Sequence, residues 1–97
     1  MKNVNNPEAV NAALAQALPL IAKIDTMTED EIDYWYSDEI RSLYQWKREL
    51  DECLELLANP EAVNPELKDF WIRNNNWDLE LAAKNISHFA KIISKGL

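Results

Sequence analysis

The chain has 97 residues, a net charge of −7, one cysteine, one histidine and one glycine, which sits next to last. A chain this short forms a single domain with a small core, and its charge repels nucleic-acid phosphates and anionic membranes. With almost no glycine, phosphate-cradling loops and nucleophile elbows, which rely on unusual backbone geometry, are excluded; helices joined by short capped turns remain.

The first six residues are polar and are expected to fray, leaving 7–97 as a single helical domain. Asn6-Pro7-Glu8 reads as a helix start: a capping side chain, a proline at the first helical position and an acid at the positive end of the dipole. Val10, Ala13, Leu14, Ala17, Ile21 and Ile24 recur at helical spacing. The spacing predicts a first helix over Pro7–Ile24, with Pro19 kinking it near Leu18 on the side away from the stripe.

Thr28-Glu29-Asp30-Glu31 has capping-box spacing. From there an apolar stripe runs through Ile32, Trp35, Tyr36, Ile40, Leu43, Trp46, Leu50, Cys53, Leu54 and Leu57. It predicts a second helix over Glu29–Ala58, roughly 45 Å long at 1.5 Å per residue. A second start at Ser37-Asp38-Glu39 is the alternative. Asn59-Pro60 ends the run.

Asn64-Pro65-Glu66 starts a third helix carrying Leu67, Phe70 and Trp71, and Asn74-Asn75-Asn76 is expected to end it. A fourth runs from Trp77-Asp78 to Lys95, with Leu79, Ala82, Ala83, Ile86, Phe89, Ala90 and Ile93 on one face. Gly96 stands where a left-handed cap belongs. Asn-Pro-Glu-Ala-Val-Asn occurs at 6–11 and again at 59–64; recurrent helix-start chemistry accounts for it better than duplication does.

The expected fold is all-α, a compact four-helix bundle with the second helix as its spine. Its expected core is Leu14, Ile21, Ile32, Trp35, Leu43, Trp46, Leu50, Leu54, Phe70, Trp71, Leu79, Ile86, Phe89 and Ile93.

Catalysis is poorly served. His88 has no second histidine or cysteine near it in sequence, as a metal site would require. Cys53 falls in the apolar stripe, where a small buried hydrophobe is expected, and Asp51, Glu52 and Glu55 around it would raise its pKa. Glu49, Glu52 and Glu55 lie on a helix rather than a converging loop and read as a solvated face. The expectation is a protein that is not an enzyme, with no catalytic residues, cofactor or metal. The lone cysteine fits a reducing, cytoplasmic setting. Met1–Asn6 lacks a signal-peptide core, and no apolar run nears the ~20 residues of a membrane span.

Residues 25–39 hold no Lys or Arg, many acids and three consecutive aromatics. On a helix Tyr34 points away from the stripe, an exposed aromatic within an acidic patch, which suits a protein partner with a basic surface. The other reading is that the acids satisfy the helix N-terminus while the aromatics are core. Glu29, Asp30, Asp33, Tyr34, Asp38 and Arg41 are the candidate partner-binding residues. Glu39 and Lys47 fall within the second helix's stripe, where their stems can snorkel outward. Leu81, His88 and Ile92 form a second side of the fourth helix and are candidates for contact with another copy, so a homodimer is expected as a second possibility.

Phe70-Trp71-Ile72-Arg73-Asn74-Asn75-Asn76-Trp77-Asp78-Leu79-Glu80-Leu81-Ala82 resembles the second turn and third helix of ubiquitin-associated domains. The likeness covers about a fifth of the chain. The family's glycine-containing loop is absent, since 58–64 read Ala-Asn-Pro-Glu-Ala-Val-Asn, and the last helix is longer than the family's. Capping chemistry and an amphipathic helix account for it, and no binding residue is carried over. In size and charge the chain is similar to small anti-defence proteins of phages and mobile elements. That likeness implies an acidic inhibitor or adaptor that occupies a basic, nucleic-acid-binding surface of a target protein; the alternative is a self-assembling structural or accessory protein.

Overall fold

The computed structural model describes residues 1–35, 37–60 and 64–97. The described residues form four α-helices and no strand: α1 (Pro7–Ile24), α2 (Glu29–Tyr34), α3 (Ser37–Ala58) and α4 (Lys68–Gly96), with a 3-10 turn at Pro65–Leu67 before α4.

α1 has the expected bounds. The Asn6 side chain accepts from the Ala9 N–H at 3.2 Å, with Pro7 at the first helical position. The helix is continuous through Pro19, whose ring is exposed, because Val10, Ala13, Ala17, Leu20 and Ile24 take the buried stripe.

The expected single helix over Glu29–Ala58 is two helices. Trp35 adopts φ −110° and ψ 102°, an extended conformation that ends α2, and Ser37-Asp38-Glu39 opens α3. The alternative break is therefore the observed one. Tyr36, expected on the apolar stripe, lies outside the described residues, as do 61–63 of the repeated string.

The third and fourth helices, expected to be separate, are one 29-residue helix. Asn74-Asn75-Asn76 does not end anything. The Asn75 side-chain amide donates to the Trp71 carbonyl at 3.0 Å and that of Asn76 to the Ile72 carbonyl at 2.9 Å. Asparagine breaks helices when its side chain competes for its own backbone in a turn. Here the amides bond four residues back, along the helix. Gly96 is not a left-handed cap either: no glycine has positive φ among the described residues, and the Leu97 N–H continues the ladder to the Ile93 carbonyl at 3.1 Å.

Five hydrogen bonds set the topology. Asn76 bonds the backbone of Asn3 and Asn5, just before α1, and Lys23 near the end of α1 donates to the Leu97 carbonyl. α1 therefore runs parallel to the C-terminal two-thirds of α4. Asn3 donates to the Leu57 carbonyl at 2.8 Å while Tyr44 bonds Asp25, so α3 runs antiparallel to both. The segment expected to fray thus bonds to both α3 and α4.

α4, rather than the expected second helix, is the spine: α1 and α3 both pack along it. The buried core is Val10, Ala13, Ala17, Leu20, Ile24, Ile40, Leu43, Leu50, Cys53, Leu57, Leu79, Ala82, Ala83, Ile86, Ala90 and Ile93. Alanines are prominent in it on α1 and α4, and such small side chains let helix axes approach closely. Of the remaining expected core residues, Leu14, Ile21, Ile32, Trp46, Leu54 and Phe89 are half-buried against it, and Trp71 is also half-buried. Trp35 and Phe70 are exposed.

The fold is all-α, but elongated where a compact bundle was expected. It measures 50 × 22 × 17 Å, with a radius of gyration of 15.2 Å, against ~12.5 Å for a compact chain of this length. The cause is unequal helices: at 1.5 Å per residue α4 is ~43 Å long, α3 ~33 Å and α1 ~27 Å. Asn3 ties the end of α3 to Asn76, so the first turns of α4 project beyond both neighbours.

Candidate protein-binding site

α2 is built locally. Thr28 accepts from the Glu31 N–H at 3.2 Å, and the Glu31 carboxylate accepts from the Thr28 N–H at 3.2 Å and from its hydroxyl at 3.1 Å. This reciprocal box satisfies donors that a helix start otherwise leaves free. Glu29, Asp30 and Glu31 add charge at the positive end of the turn. None of the six residues of α2 is buried; Ile32, half-buried, is its attachment to the core.

Tyr34, the last residue of α2, and Trp35, which follows it, form an aromatic pair at the end of an acidic helix. Tyr34 is 78% exposed and Trp35 38% exposed. Their rings meet edge to face, 5.0 Å between centroids and 84° between planes. Such a contact holds each ring at low entropic cost and leaves both faces partly free. Glu29, Asp30 and Asp33 on α2 and Asp38 on α3 are all exposed. Arg41 lies 3.8 Å from Asp38, one turn on, with both side chains largely in water. Four of the six candidate residues, Glu29, Asp30, Asp33 and Tyr34, thus stand together on α2, while Asp38 and Arg41 stand on the first turns of α3 and meet each other.

The second candidate set falls differently. Leu81 and His88 are exposed, but Ile92 is half-buried, and Lys84, Lys91 and Lys95 are exposed beside His88 and Ile92. His88 packs edge to face on Phe89 at 5.1 Å. The apolar part of this side lies at the N-terminal end of α4, where Leu67, just before the helix, and Phe70 and Trp77, on it, are 54%, 62% and 65% exposed. Sequence reasoning missed these three because it put Phe70 in a core and a helix end between them.

The titratable groups fit a structural role. Cys53 is buried, and its thiol is pushed up to about 11, first by burial and then by Glu49, Asp78 and Glu52. Tyr44 is pushed up to about 12 by burial, by its bond to Asp25 and by that carboxylate's charge. Lys47 pairs with Asp51 at 2.6 Å along α3, an outward reach of the expected kind. Among the described residues no three His, Cys, Asp or Glu side chains are grouped to hold a metal, and no helix is long and apolar enough to cross a membrane.

The chain matches no family model, no curated protein and no solved structure.

Proposed function

We propose that this protein is a non-enzymatic binding module whose α2 knob engages a basic surface of a target protein, as an inhibitor or adaptor. The observation that carries the reading is Tyr34: a tyrosine 78% exposed, on a capped helix that buries none of its own residues. A short helix that adds so little to the core is ordered for what it displays. Exposed tyrosine and tryptophan supply large, stiff contact area, and a surrounding acidic rim steers a cationic partner into register. A surface that binds nucleic acid has the complementary chemistry, being both basic and receptive to stacked rings.

The test begins with capture of a stoichiometric partner from host extract and proceeds to titration of the purified pair over a salt series. Asp30→Lys with Asp33→Lys should weaken binding at low salt and flatten its salt dependence. Tyr34→Ala should cost roughly tenfold at every salt concentration, the range of a moderate interface anchor. Affinity unchanged by the reversals and by salt rules the reading out.

A further inference from the structure

The far end of the rod carries a surface that α2 does not explain. Phe70, Asn74, Trp77 and Leu81 are separated by steps of four, three and four residues and are all exposed, and Leu67 is exposed just before the helix. Residues so spaced share one stripe of a helix. The stripe lies opposite the core face of α4, where Asn75, Asn76, Leu79, Ala82, Ala83 and Ile86 are buried. Phe70, Arg73, Asn74 and Trp77 line a shallow groove on it.

Charge says what covers the stripe. Arg73 and Glu80 flank it on the same side, two turns apart, and neither has an ion-pair partner among the described residues. One cation and one anion at equivalent flanking positions are self-complementary under an antiparallel two-fold. Arg73 of one copy then meets Glu80 of the other, twice. The same register, with its axis between residues 75 and 76, stacks Phe70 on Leu81 and sets Asn74 beside Trp77 across the pair. A parallel pair is disfavoured, because further along the stripe come Lys84, His88, Lys91 and Lys95, which would then face their own copies.

We infer that the N-terminal half of α4 pairs antiparallel with a second copy of this chain, through Phe70, Trp77 and Leu81, in a register fixed by reciprocal Arg73–Glu80 pairs. The surface is small beside the ~800 Å² per partner of a standard interface, so the dimer is reversible and micromolar. It is independent of the α2 knob, which lies at the other end of the molecule.

Sedimentation equilibrium of the purified chain from micromolar to millimolar concentration tests this. The wild type should dimerise. Arg73→Glu and Glu80→Arg should each weaken the dimer roughly tenfold, since each sets like charges together twice over. The combined R73E/E80R chain should recover most of the loss, because the swap restores both pairs only in the antiparallel register. F70S/W77S, at two exposed positions, should be monomeric with unchanged helicity. A wild type that stays monomeric at millimolar concentration overturns the inference. So does a dimer indifferent to F70S/W77S, or one that the double swap does not restore.

Discussion

Replacing Asn76 with alanine tests whether α4 is one rod, and the two accounts of that residue predict opposite signs. If Asn74-Asn75-Asn76 closed a helix, alanine would favour the helix by a few tenths of a kcal/mol. In the structure Asn76 is 2% exposed and its side chain makes three hydrogen bonds. Its oxygen accepts from the Asn5 N–H at 2.8 Å, and its amide donates to the Asn3 and Ile72 carbonyls, both at 2.9 Å. The Ile72 carbonyl keeps its helical partner when the side chain is lost, so two backbone groups are stranded at a part-buried site. At about 1 kcal/mol for each bond the loss is about 2 kcal/mol, of which alanine's helix propensity returns less than 1. A net loss of about 1.5 kcal/mol lowers Tm by roughly 6–12 °C in a domain of this size. Urea unfolding followed by tryptophan fluorescence measures it, and amide exchange at Asn5 locates it. Asn74→Ala is the control: Asn74 is exposed, and its side chain makes no hydrogen bond among the described residues. Equal stability of the two variants, with Asn5 exchanging as in the wild type, would refute the argument.

Thr28→Ala removes the capping box and should cost about 1 kcal/mol. Since α2 has little other support, the loss should appear as faster amide exchange confined to 29–34, and exchange that accelerates equally in α3 and α4 would count against a locally built knob. Alkaline stability follows from Cys53 and Tyr44, whose folded pKa values are raised from 9.0 to about 11 and from 10.0 to about 12. A group raised in the folded state stabilises fully below its unfolded pKa and loses that contribution as pH climbs through the folded one. Urea midpoints should therefore be flat on this account up to pH 9, then fall from 9 to 11 through the thiol and from 10 to 12 through the phenol. C53A should remove the first part of the fall; an identical profile in that variant would show that the thiol is not the group responsible.

The helical class, the ends of α1 and the stop after Ala58 were legible because each is written in local chemistry: Asn6-Pro7, the acids of the first turn, Asn59-Pro60. The break at Trp35 was legible only as an option, since Ser37-Asp38-Glu39 signals a start without deciding whether the preceding helix stops. The asparagine run was misleading for a physical reason. An asparagine amide has the same donors whether it caps a turn or bonds the carbonyl four residues back, and burial against Asn3 and Asn5 selects the second. That selection comes from residues more than seventy positions away, beyond any local reading. The core was legible in part: Leu43, Leu50, Leu79, Ile86 and Ile93 are buried as expected. Large side chains such as Phe70 and Trp35 were expected inside, whereas the helices meet on Ala13, Ala17, Ala82, Ala83 and Ala90.

One consequence links the misread helix to the surface it hides. Cut at Asn74, the chain assigns Leu67 and Phe70 to one short helix and Trp77 and Leu81 to another, and no common face exists. Left continuous, Phe70, Asn74, Trp77 and Leu81 fall into register every three and four positions, and Arg73 and Glu80 line up beside them. The knob on α2 follows from the opposite circumstance: Thr28, Glu31 and Tyr34 lie within seven residues, so their geometry is settled by the turn they form. The acidic end of the molecule is therefore readable from sequence, while the apolar end is visible only once the buried amide of Asn76 has joined two helices into one.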